Sequence, residues 1–225
     1  MRIPFILIAL AAFCFGFQSK YLPRYEITGV DCDEILHKTA FDVCYSCAGK
    51  IPRLAVYRID GKKAEGRSLS RKGLRFRPDY SLPARCRSYS RDYAKTGFDR
   101  GHLVPNAAFD YDRKLQKETF LMSNAAPQKP GLNRRPWAAI ERFARRIALK
   151  YGKISVITGT CGASGRVRRG VAVPKYWYKI IFPPSKKPIA FLAENTKESG
   201  RKRAREFLTL LEKIERTCGL SITHK

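Results

Sequence analysis

Asp99-Arg100-Gly101-His102 heads the stretch, Phe98 to Arg145, whose reading decides the fold. Strand-like residues lead into it through Tyr93 and Phe98, and a second run, Thr119-Phe120-Leu121-Met122-Ser123-Asn124, has the β-branched and aromatic content of a strand. A helix is predicted next. Gly131-Leu132-Asn133 comes just before it, Pro136 falls in its first turn where a missing N–H costs nothing, and Trp137, Ile140, Ala144 and Ile147 recur at helical spacing. The order strand, strand, helix is a small supersecondary unit. Asn133, Trp137, Glu141 and Arg145 stand four apart and form one stripe along that helix. Amide, indole, carboxylate and guanidinium together are unusual for a face that only packs.

The chain has three histidines, His37, His102 and His224, and His224 stands next to the last residue. His102 is therefore the best-placed side chain to take a proton near neutral pH.

In order, Asp99-Arg100-Gly101-His102, Ser123-Asn124 with Pro127-Gln128, Leu132-Asn133, Trp137, Glu141 and Arg145 resemble the signature of the DNA/RNA non-specific endonuclease family, to which the Serratia nuclease and mitochondrial endonuclease G belong. Val156-Ile157-Thr158-Gly159, Val173-Pro174-Lys175-Tyr176-Trp177 and Glu215 to Leu220 extend the likeness. The resemblance implies a ββα-metal (His-Me finger) active site and an endonuclease that hydrolyses phosphodiester bonds of DNA and RNA without regard to sequence or sugar. It also implies the roles of the residues. His102 is the expected general base, with a backbone carbonyl near Thr119 fixing its tautomer. Asn133 is the expected single protein ligand of a hydrated Mg²⁺, for which Mn²⁺ or another divalent cation could stand in, and Glu141 orients the waters of that ion. No small-molecule cofactor is expected.

Asp99 and Arg100 are placed at the site by the same likeness, and Asn124, Gln128 and Arg145 are candidates for binding substrate. Trp137 is read as core. Members of the family carry an arginine upstream of the tetrapeptide, but Leu74 stands at the strict register here, flanked by Arg71, Arg75 and Arg77; Arg75 is the choice. Thr119 departs in the same way, since the Serratia-like pattern has asparagine there.

With 225 residues the chain can bury a full core as one domain, expected over residues 20–225. Met1-Arg2 and the apolar run Ile3 to Phe17 read as an export signal, or an N-terminal anchor if uncleaved, over residues 1–19. The expected location is secreted or periplasmic, with membrane contact only through a retained N-terminal segment. Outside Cys14 there are six cysteines, Cys32, Cys44, Cys47, Cys86, Cys161 and Cys218, which in an exported chain suggest up to three disulfides of unspecified connectivity. Cys44 and Cys47 have redox-motif spacing, but without a second such pair nearby they are read as structural.

The formal net charge is +26, from 45 Lys and Arg against 19 Asp and Glu. So strong a field selects polyanionic partners, and it predicts fast, salt-sensitive association because each neutralised phosphate releases counterions. Lys62 to Lys95 holds eleven Lys or Arg and three Asp or Glu, interleaved with Phe76, Tyr80, Tyr89 and Tyr93. That mixture suits a groove that tracks phosphates and offers rings to bases. No zinc finger, RRM pattern or basic zipper is recognisable, which favours backbone recognition over base readout. DNA and RNA are the expected partners; an inhibitor protein is left open. The alternative function is a non-catalytic polyanion-binding protein.

Leu54 to Ile59, Ile154 to Thr158, Tyr178 to Phe182 and Ile189 to Leu192 read as strands, and residues 204–216 as an amphipathic helix carrying Phe207, Leu210, Leu211 and Ile214. These elements predict an α+β domain with a central antiparallel sheet, the ββα unit on one face and flanking helices opposite.

Overall fold

The computed structural model describes residues 16–66 and 68–225. Most of the expected leader, residues 1–15, lies outside them. Phe17 is buried and bridges Ile27, and the Ser19 hydroxyl donates to the Asp42 carboxylate at 2.6 Å. The folded body thus takes in Phe17 and Ser19, which the sequence reading gave to the leader.

In chain order the strands are β1 (Tyr25–Thr28), β2 (Glu34–His37), β3 (Phe41–Ser46), β4 (Ile51–Asp60), β5 (Asp99–His102), β6 (Ala125–Gln128), β7 (Lys153–Arg166), β8 (Ala172–Phe182), β9 (Ile189–Glu194), β10 (Leu208–Thr209) and β11 (Ser221–His224). The helices are α1 (Gly61–Ala64), α2 (Arg113–Thr119), α3 (Pro130–Leu132), α4 (Ala138–Tyr151) and α5 (Leu211–Cys218). Seven strands form one antiparallel sheet in the order β10-β9-β8-β7-β4-β3-β2.

Both faces of that sheet are covered, and β4 shows how. Its residues alternate across the pleat, so Ala55, Tyr57 and Ile59 join the core beneath α4 while Leu54 and Val56 join a second core with Ile27, Ile214 and Ile222. A strand buried on both faces reads as a continuous apolar run, which is why Leu54 to Ile59 and Ile154 to Thr158 were legible as strands but not by alternation.

The ββα unit is present, with its second strand displaced. β5 pairs with β6 in the register Asp99 to Gln128 and His102 to Ala125, so the partner strand begins at Ala125 and not at Thr119. Thr119 closes α2, and Met122 to Asn124 make a tight turn. Propensity is overridden here by tertiary bonds: Arg77 N–H donates to Phe120 O at 3.0 Å and Arg77 O accepts from Met122 N–H at 2.9 Å, which draws the segment away from β5.

The helix after β6 starts earlier than expected. Pro130 occupies its first turn, and Asn133 lies inside the helical path with φ −56° and ψ −52°, so it is not the N-cap. Asn133–Trp137 form a wide, π-type turn that accommodates Pro136 and leads into α4. The expected helix over 204–216 is also broken. Leu208 and Thr209 pair with Phe191 and Ala190 at the sheet edge, and helix resumes only at Leu211. Completing the exposed edge of β9 outweighs continuing a helix whose Leu210 faces solvent.

Three disulfides join Cys32 to Cys44, Cys47 to Cys86 and Cys161 to Cys218. Cys44 and Cys47 each bridge elsewhere, so the redox-motif spacing is structural. The bridge Cys161–Cys218 ties α5 to the central strand β7.

Candidate active site

β5, the turn after β6 and the start of α4 converge on a cavity of about 750 Å³. His102, Asp99 and Arg100 reach it from β5, and Asn133 and Glu141 from the helix. The two-residue period of a strand puts Arg100 and His102 on one side, with Gly101 turned inward. A Cβ at Gly101 would stand 2.7 Å from Gln128 Cβ and 2.9 Å from the Trp177 ring, so only glycine lets the strand lie this close to the core.

The imidazole of His102 packs between Phe76, at 4.7 Å between ring centroids, and the edge of Phe120 at 5.3 Å. Among the described residues its buried Nε2 has no hydrogen-bond partner, which leaves Nδ1 as the nitrogen open to the cavity. The carbonyl expected to fix the tautomer is engaged elsewhere: Thr119 O accepts from Asn124 Nδ2 at 2.9 Å. Burial, and secondarily the nearby charge of Arg71, lower the His102 pKa to about 3. The ring is therefore a neutral proton acceptor throughout the neutral range.

Asp99 organises the opposite wall. Its carboxylate accepts from Asn133 Nδ2 at 2.9 Å and from Arg134 Nε and Nη2 at 2.9 and 2.7 Å. Burial pushes its carboxyl upward, but these hydrogen bonds and the charges of Arg134 and Arg100 outweigh that and hold it below the usual range. With Nδ2 committed, Asn133 has its carbonyl Oδ1 for a cation. Glu141, two turns further along, is raised by burial, a shift opposed chiefly by Lys179 and then by Arg145, Arg142 and Arg71. A neutral amide oxygen and a carboxylate are hard donors that fit Mg²⁺ or a similar cation. Among the described residues, the one group of three or more His, Cys, Asp or Glu close enough to hold an ion is Glu34, Cys47 and Cys86, whose sulfurs are in a disulfide.

The other site residues fall differently from the expectation. Arg75 lies outside the cavity, lining a separate depression with Lys117 and Phe120. Arg71 is the upstream arginine that reaches the cavity, its guanidinium 5.3 Å over Phe120. Asn124 is fully buried as a brace: Oδ1 accepts from Val104 N–H and Nδ2 donates to Val104 O, both at 2.9 Å. Gln128 is also fully buried, beside Gly101, and does not line the cavity. Arg145 contributes charge near Glu141 but makes no ion pair with it and does not line the cavity. Trp137 is core, edge-on to Trp177 at 5.6 Å.

Two participants escaped sequence reasoning. Arg134 neighbours Asn133, and that adjacency was the available signal. Lys179 sits in an apolar strand and is completely buried, donating to Tyr57 Oη at 2.8 Å and to Thr158 Oγ1. Burial lowers its pKa to about 8, with Glu141 pulling the other way, so a positive charge lies in the core behind the carboxylate of the cavity.

The profile of the DNA/RNA non-specific endonuclease family matches residues 18–225. Mitochondrial Nuclease 1 of Schizosaccharomyces pombe is 28% identical over 92% of this chain and 71% of its own length. Nuclease C1 of Cunninghamella echinulata var. echinulata is 30% identical over 71% of this chain and 70% of its own. Among solved structures, a chain of the EndoG/EndoGI complex superposes with a TM-score of 0.77 at 25% identity, covering 85% of this chain and 86% of that one.

Proposed function

Because the chain belongs to the DNA/RNA non-specific endonuclease family, we propose that it cuts the backbone of DNA and RNA alike, using a hydrated Mg²⁺ or another divalent cation held through Asn133. The observation that carries this reading is the convergence of His102 and Asn133 on one cavity walled by Arg71, Arg100 and Arg134. His102 Nδ1 takes the proton of the attacking water, a task its neutral state suits. The cation, when bound, supplies positive charge to the phosphate and to the departing 3′ oxygen. Asn133 would present Oδ1 to it, with the carboxamide held in orientation by Asp99. Glu141 would accept hydrogen bonds from water held near a bound cation, and the buried charge of Lys179 favours its ionised form. Arg100 keeps most of its donors for the phosphate, since among the described residues its one hydrogen bond is a long one to Ser90 O at 3.3 Å.

Arg71 takes the place first given to Arg75, as the cation facing the developing phosphorane charge. Arg71→Ala should lower kcat on both DNA and RNA by about 10²-fold or more, the scale of losing one oriented donor, whereas Arg75→Ala should leave kcat within about twofold. Steady-state cleavage of a labelled oligonucleotide by the two variants checks this; the reverse order would restore Arg75.

We also place the protein in an exported, oxidising setting, secreted or periplasmic, a reading supported by its three disulfides. Among the described residues no helix is long and apolar enough to cross a membrane. An inhibitor protein is a proposed partner, supported by the complex in which the solved relative was found.

A further inference from the structure

Past Arg134 the cavity continues into a second depression of about 490 Å³ over the first turns of the long helix. Arg134, Arg135, Arg142, Lys202 and Arg203 surround it, and Ala139 lies between the arginines of the helix. Two glycines bring its walls together. A Cβ at Gly200 would stand 2.6 Å from the Gly131 carbonyl carbon, so the loop that carries Lys202 and Arg203 sits directly on the start of the helix.

Counter-charge is short here. Arg134 is held by Asp99 and Arg203 by Glu206, at 2.7 and 3.4 Å. Among the described residues no salt bridge reaches Arg135, Arg142 or Lys202, all of which are exposed. Cations crowded at the positive end of a helix are unfavourable twice over, by mutual repulsion and by the helix dipole. A bound polyanion reverses both penalties. Arg135 and Arg142 are seven residues apart along one continuous helical path, and both are exposed. The small Ala139 between them leaves room for a sugar-phosphate backbone.

We propose that this depression is a phosphate-binding subsite, which grips the nucleic acid strand a few nucleotides away from the bond cut beside His102 and Asn133. The subsite rests on the reading of the cavity as the place of phosphodiester hydrolysis. It extends the substrate from a single phosphodiester to a strand long enough to span both depressions, and it is blind to base and sugar because its donors meet phosphates.

The test compares wild type with Arg135→Gln/Lys202→Gln on two substrates, a long duplex oligonucleotide and bis-p-nitrophenyl phosphate, which fills the cavity alone. For the duplex, KM should rise roughly tenfold with kcat unchanged, and the slope of log affinity against log salt, measured by anisotropy in EDTA, should flatten by about 2. Lys202→Gln alone should flatten it by about 1. The small substrate should be turned over as by wild type. An unchanged salt slope overturns the subsite, and so does an equal loss on both substrates, which would mean that these residues act through the cavity. If the wild type cleaves neither substrate while the slope difference persists, the catalytic reading fails and only the phosphate-binding role of the depression is upheld.

Discussion

His102→Ala should lower kcat by about 10²- to 10⁴-fold on DNA and RNA alike, the range contributed by a positioned general base, with binding in EDTA little changed. The expectation follows from the ring's surroundings. Phe76 and Phe120 clamp it in one orientation, and its exposed nitrogen is the one facing the cavity. Alanine also removes packing against those rings, so His102→Gln, which keeps more of the bulk, serves as the companion. Both variants should lose cleavage to a similar extent, while only alanine should lower the melting temperature appreciably. A His102→Gln protein that cuts at the wild-type rate would remove the imidazole from the chemistry.

Asn133→Ala should raise the Mg²⁺ concentration needed for half-maximal cleavage by at least ~10- to 100-fold, the penalty that follows loss of groups around a metal site. The reasoning again lies in the bonds. Asp99 fixes Nδ2, so the carboxamide can present only Oδ1, and alanine removes it. A second consequence separates ligation from packing. Asp99 would keep both bonds from Arg134, so the fold and the salt-dependent affinity for nucleic acid should survive. Titrating cleavage against Mg²⁺ and Mn²⁺ for both proteins is the check, and an unshifted curve would assign Asn133 to the architecture alone.

The parts of this molecule legible in its sequence are those set by local pattern. The apolar runs of β4, β7, β8 and β9 gave the central sheet, and the spacing from Asn133 to Glu141 gave the helical side of the site. What escaped depends on long-range packing. The choice between Arg71 and Arg75 turns on an irregular segment pinned by Arg77 to Phe120 and Met122, which has no periodicity to read. Asn124 and Gln128 look like surface amides by type, yet both are fully buried, Asn124 because three of its hydrogen-bonding needs are met by Val104 and Thr119. Lys179 is invisible for the opposite reason: a lysine in an apolar strand signals an edge, and only the fold shows two hydroxyls waiting for it inside. The cysteine pairing likewise needed coordinates, since no spacing rule ranks the connectivities.

All of these roles presuppose that the cavity performs metal-assisted hydrolysis and is more than a cationic surface for polyanions. The most direct measurement follows binding and nicking of one supercoiled plasmid by the full chain, first in excess EDTA and then after Mg²⁺ is restored. Binding should persist in EDTA while nicking stops, and Mg²⁺ should bring nicking back. Nicking undiminished in EDTA, or binding with no nicking under either condition, would contradict the account.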